Sequence, residues 1–274
     1  MLIFLLLIFL ITKSSIVSSA IINTTTLFMQ RIMPNMIIYF FIIDFIINTK
    51  VINRIGRLFH PLCKIMFNSP TPLVSSIIIL SPFLGCPSNV KLIDSLYKQK
   101  KISQKNARIL LASTPLPSLA FVLSIAQKFP NKELFIIIPL ISNILIGIAL
   151  GFLFESEDNQ ALTGKYSFND SVKKNLTLLF QIFVIICFCN CLIEIISGYL
   201  SINKEHLGLL DLSIGLINTQ NPYLFLIFTS FLGFSIHLQT YSIINKSLPY
   251  YSFLLGRLLN IIISLAIFIL LRLL

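Results

Sequence analysis

Three apolar runs, residues 134–154, 176–199 and 251–271, each approach or exceed the roughly 20 residues that take an α-helix across a bilayer. Hydrocarbon offers no water to bond exposed backbone groups, so runs of this length must satisfy their own amides as helices. Composition agrees with lipid as the solvent. The chain is 56% hydrophobic and 11% charged, against roughly a quarter charged in soluble domains. A soluble domain of 274 residues could not bury that apolar load and still present a polar surface. We expect a single all-α polytopic membrane domain over 1–274, with no soluble part.

The remaining segments are less regular. Residues 2–11 are apolar with no basic residue before them, which favours a short first membrane helix over a signal-peptide core. Residues 14–31 read as an interfacial helix or loop. Residues 33–48 make a span interrupted by Asp44, and 50–64 are basic. Residues 109–126 carry Pro115 and Pro117 inside a span, and 155–174 form a hydrophilic loop. Residues 201–220 are polar and faintly amphipathic. The net charge of +11 sits between apolar runs, so asymmetric loop charge accounts for it and no nucleic-acid partner is expected.

Two short elements do not fit a simple span. Residues 68–89 have only a brief apolar run before Ser81-Pro82, Gly85 and Pro87 break it, and 221–240 are similarly short. Broken backbone survives at membrane depth only where protein buries it or a cavity borders it. The two resemble each other: Phe83-Leu84-Gly85 returns as Phe231-Leu232-Gly233, and Ser81 answers to Thr229. Upstream, 23–28 resemble 175–180, and Asp44 and Glu194 each interrupt the span that follows. We read a duplicated unit, 14–154 with a broken helix at 68–89, and 155–274 with a broken helix at 221–240.

Basic residues flank 68–89 on both sides, so that segment should enter and return on the cytoplasmic face. The flanks of 221–240 hold only Lys204 and Lys246, which predicts a return from the opposite face. The result is about six spans and two opposed hairpins, with eight spans as the alternative. Loops on the inner face then hold 14 Lys and Arg and outer loops six. Opposed broken helices meeting near the midplane are typical of secondary transporters.

Half-helix N-termini at such breaks offer N–H donors and partial positive charge. The expected solute contacts are Ser81, Gly85, Pro87, Ser88, Asn89 and Lys91 at the first break, and Thr114 and Ser118 in the adjacent span. At the second they are Ser230, Gly233, Ser235, His237 and Gln239. The solute would be small and polar or anionic. The competing reading is that these Ser and Thr only cap and pack helices. Asp44 and Glu194 are costly inside a span and are candidates for proton coupling, with Arg257 a possible partner of either.

No glycine-rich nucleotide loop, catalytic triad spacing or metalloprotease motif is present, so an enzyme is not expected, nor a metal or other cofactor. Cys187 and Cys191 share a helix face while Cys189 points away, so the three cannot converge on one ion.

The stretch SPFLGCPSNVKLIDSLYKQKKISQKNARILLASTPLPSLAFV is similar to the core of the YlbJ family of sporulation integral membrane proteins, within the wider nucleoside-recognition, or gate, group. Gly85, Pro87, Lys91, Ile102-Ser103, Asn106-Ala107 and Pro115 carry the likeness, which extends over about 15–272. Ser88-Asn89 depart from it, standing where the family has Gly-Ala. The resemblance implies a multi-pass bacterial inner-membrane protein, in the outer forespore membrane of a sporulating host. It also implies movement of dipicolinate toward the spore. A nucleoside or other small-metabolite carrier, and a non-transport scaffold holding sporulation proteins together, are the alternatives.

Overall fold

The computed structural model describes residues 14–155, 167–200 and 205–273, and these contain helices and no strand. Residues 2–11, expected to form a first helix, lie outside the described residues.

Helix α1 (Ser14–Leu27) runs through a π-turn at Phe28–Ile32 into α2 (Met33–Asn48). Pro34 has no N–H to give, and the widened turn before it accommodates the missing bond. Residues 14–31 are therefore the first part of a long crossing helix. The chain then bends by 85° into α3 (Val51–Phe67). This helix buries Ile52, Gly56 and Cys63 while exposing Leu58, Leu62 and Ile65, as expected of a helix lying along the membrane plane.

Helix α4 (Pro72–Leu84) is capped by Thr71, whose hydroxyl accepts from the Val74 N–H at 3.3 Å, and it is broken at Gly85. The chain returns as α5 (Ser88–Lys98). Helix α6 (Gln104–Ser113) starts at the Ser103 cap, and the Thr114–Ser118 break separates it from α7 (Leu119–Ala126), itself capped by Ser118. Helices α8 (Leu134–Gly151) and α9 (Phe168–Leu200) follow. A 3₁₀ turn at His206–Leu209 then leads through Asp211 into α10 (Leu212–Asn218). Helices α11 (Pro222–Phe231) and α12 (Gly233–Ile244) meet at Leu232, and α13 (Tyr251–Leu273) closes the fold.

Contacts between element ends sort them onto two faces. On one, Lys105 pairs with Glu155 at 3.3 Å, Asp94 bonds Ser247, and Arg108 bonds Tyr251. Asp44 and Ser171 meet there at 2.6 Å. We call this the basic face. On the other, Lys128 donates to the Leu216 and Ile217 carbonyls at 2.5 and 3.1 Å, and Arg272 reaches Tyr223 at 3.5 Å. Burial pulls the Lys128 amine below the usual lysine range, with Glu205 opposing.

Six crossings result among the described residues: α1–α2, α6–α7, α8, α9, α11–α12 and α13. Four of them, α8, α9, α11–α12 and α13, are long and apolar enough to be recognised by length and composition, or five elements if the bent 36–67 pair counts as one span. The α4–α5 hairpin enters and returns at the basic face, as its charged flanks predict. The second hairpin is a correction. Residues 222–244 do not return but cross as a broken helix, ending with Ser247 beside Asp94 on the basic face. The re-entrant element from the opposite face is 205–218, closed at its base by Thr219 donating to Glu205 at 3.0 Å. Each half thus runs as long helix, hairpin, broken span and span, in opposite senses.

Candidate functional site

The tips of both hairpins meet the breaks of both broken spans. At the first meeting, the Cys86 N–H donates to the Leu116 carbonyl at 2.6 Å. At the second, the Ser235 N–H donates to the Leu210 carbonyl at 2.9 Å. Glycine is required at both. Gly85 has φ +68°, and a Cβ there would lie 2.5 Å from the Ser118 nitrogen. Gly233 has φ +70°, and its Cβ would lie 2.7 Å from the Leu212 nitrogen. Any side chain would push hairpin and span apart.

A cavity of about 670 Å³ occupies the meeting point. The first hairpin supplies Cys86, Pro87 and Ser88, and the first broken span supplies Pro117, Ser118 and Ser124. The second half supplies Asp211, Ser213, Ser235 and Gln239. The long helix α1–α2 adds Gln30 and Tyr39. The volume suits a small metabolite, and the mixture of apolar wall with a few converging polar groups is that of a ligand site. The cavity extends from the breaks along α7 and α10, toward the face opposite the basic one.

Among the described residues, Asp211 is the one acid or base in its wall. It caps α10, accepting from the Ser213 and Ile214 N–H groups at 3.0 and 3.2 Å, and Ser235 donates to its other oxygen at 2.8 Å. A carboxylate has about four acceptor positions, so one remains for a solute hydroxyl or amine. Sequence reading missed this residue. The available signal was Asp211 one step ahead of a short apolar helix, an N-cap pattern.

Of the expected contacts, Pro87, Ser88, Ser118, Ser235 and Gln239 line the cavity, while Gly85 and Gly233 form the joints behind it. Others do not reach it. Ser81 donates to the Ile77 carbonyl at 2.7 Å, and Thr114 donates to the Leu110 carbonyl at 2.8 Å while facing a separate void of about 40 Å³. Ser230 and Asn89 are fully buried, and the Ser230 hydroxyl and both Asn89 amide atoms have no hydrogen-bond partner among the described residues. His237 is fully engaged: its Nε2 lies 2.8 Å from the Phe231 carbonyl, its Nδ1 bonds the Tyr250 hydroxyl, and it stacks on Phe231. It braces the α11–α12 joint.

Lys91 is not a free cation facing the solute. Its amine pairs with Asp44 at 3.1 Å, bonds Asn175, and lies 4.6 Å over the Phe40 ring. Asp44 in turn accepts from Ser171 at 2.6 Å and Asn175 at 3.1 Å. This buried latch ties α2, α5 and α9 together on the basic-face side of the cavity. Glu194 is half-buried on α9 and does not line the cavity. Arg257 pairs with neither acid. It donates to the Asn143 side chain on α8 at 2.9 Å, and to the Ala112 carbonyl at 3.2 Å and the Pro115 carbonyl, backbone acceptors at the proline break.

A family model described as nucleoside recognition, the Gate model, matches residues 29–132. That stretch contains the first hairpin, the first broken span and part of the long helix before them, and so more than half of the cavity wall. No curated protein and no solved structure matches the chain.

Proposed function

We propose that this protein is a carrier, not an enzyme, and that it moves a small uncharged polar solute of the nucleoside class through the cavity where the hairpin tips and broken spans meet. The observation that supports this best is the cavity's wall. It draws polar groups from both oppositely oriented halves, and among the described residues its one acid or base is Asp211. Lys91 and Arg257, buried cations of the described residues, are committed to Asp44 and to the Pro115 break. A dicarboxylate moved into this space would lose water without gaining a cation, which is costly. A nucleoside brings hydroxyl donors that Asp211 accepts and a flat base that suits the apolar wall. The match to the nucleoside-recognition family model over the first half points the same way.

Among the described residues, Lys98, Lys105, Arg108, Lys173, Lys174 and Lys246 lie at the basic face against Lys128, Lys132 and Arg272 at the other, a bias that supports a cell-membrane location with the basic face toward the cytoplasm. The cavity would then face the other compartment, with the Asp44–Lys91 latch closing the inner side.

A second reading keeps dipicolinate as solute, in the membrane around a forespore. What favours it is that α5, α7 and α12 begin at the cavity, presenting partial positive charge. Binding of tritiated uridine and of labelled dipicolinate to the purified full-length protein separates the two. The nucleoside reading expects saturable uridine binding that falls at least tenfold in Asp211→Asn. Dipicolinate binding with none for uridine, strengthened by that same substitution, overturns it.

A further inference from the structure

A second cavity, of about 460 Å³, lies on the basic face between α5, α9 and α12. Its character differs from the first. Four lysines line it, Lys91, Lys98, Lys173 and Lys174, beside Asp94 and Asp170. The hydroxyls of Ser95, Thr177 and Ser242 and the Gln181 amide complete a polar wall, with Leu178 and Ile243 its apolar members. Two of the lysines are neutralised. Lys91 pairs with Asp44, and Lys98 with Asp94 at 2.6 Å. Lys173 and Lys174, successive residues in the second turn of α9, make no ion pair among the described residues. Asp94 is further occupied by Ser247.

We propose that this recess binds a phosphate-bearing ligand, held by Lys173 and Lys174 with Lys91 forming its floor. Two unpaired ammonium groups at the rim of a polar hollow supply charge, and the hydroxyls and the amide supply donors to phosphate oxygens. A solvated lysine face explains the charge alone. It does not explain why the charges border a concave wall in which nearly every side chain carries a polar group. Basic hollows between membrane helices at the cytoplasmic surface suit anionic headgroups. A lipid headgroup and a soluble phosphate present the same chemistry here. The proposal is independent of which solute occupies the central cavity. One helical turn of α5, Ser88 to Lys91, and one of α12, Gln239 to Ser242, separate the two spaces.

Native mass spectrometry of the full-length protein with phosphatidylglycerol and with phosphatidylcholine reads the lipid arm, and equilibrium dialysis against labelled pyrophosphate reads the soluble arm. The proposal expects retention of phosphatidylglycerol over phosphatidylcholine, saturable binding of pyrophosphate, or both. It expects binding to weaken about thirtyfold in Lys173→Gln/Lys174→Gln. Lys64→Gln/Lys132→Gln, which removes the same charge outside the recess, should bind as the parent does. Size-exclusion profiles matching the parent establish that the variants are folded. A parent that neither prefers the anionic lipid nor binds pyrophosphate overturns the proposal. So does a recess variant that binds as tightly as the control.

Discussion

Arg257 shows how much of this molecule depends on single buried polar side chains. It is fully buried in the second turn of a membrane-crossing helix, and it serves the Ala112 and Pro115 carbonyls at the proline-containing break of another element. Replacing it with Met strands the Ala112 carbonyl, while the Pro115 carbonyl keeps the Asn143 amide donor at 3.0 Å and the Asn143 oxygen keeps the Asn260 donor at 2.6 Å. We expect a loss of about 1–3 kcal/mol, seen as a lower melting midpoint of the detergent-purified protein. Arg257→Lys should recover only part, because one ammonium lacks the planar fork that reaches several acceptors. An unchanged midpoint for Arg257→Met would show that the break holds itself. The cost of Asp44, Glu194 and Arg257 was readable in the sequence, since each interrupts an apolar run. Their partners were not. Asp44 meets Lys91, and Arg257 meets backbone, because pairing depends on which helix faces come together. Residue spacing along one helix carries no such information. Asp211 was hidden for a different reason: its helix has 7 residues, too few to show a period.

At the scale of elements, the first hairpin was legible because proline, glycine and flanking charge all mark it. The second was assigned to the wrong segment. Its tip at Leu210–Asp211 contains neither proline nor glycine, whereas Gly233 gives a conspicuous break inside what is a crossing helix. One lysine, Lys246, was too little charge to place its loop on the basic face. The Asp44–Lys91 latch joins α2 to α5 and, through Asn175, to α9. Asp44→Asn leaves Lys91 buried without a counter-ion, and about 3–5 kcal/mol of stability should go with it. Adding Lys91→Met should restore most of that loss, since an unpaired charge then no longer sits in the interior. Thermal unfolding of the two single variants and the double reads this as a coupling. Additive losses would mean that the two residues act independently.

The whole molecule presents an asymmetry. Its central cavity extends toward the face opposite the basic one, and the latch lies between it and the basic recess. With the five native cysteines replaced, Ser124→Cys on α7 should react with an impermeant thiol reagent added from the side opposite the basic face, and react slowly from the basic side. Faster labelling from the basic side would reverse the assigned access. The general architecture, all-α with opposed broken helices, follows from run length, proline and glycine, and charge bias. The cavity's chemistry does not, because it is assembled from six separate stretches of chain.

The central claim is that a neutral polar solute crosses where the helix breaks meet. Uptake of labelled uridine into proteoliposomes tests it most directly, with the parent protein, Asp211→Asn and Gly85→Ala in parallel. The account predicts uptake by the parent, unaffected by excess dipicolinate, and a drop of at least tenfold in both variants when their reconstitution matches the parent's. No uptake of any nucleoside by a folded parent, or uptake that both variants sustain in full, would contradict it.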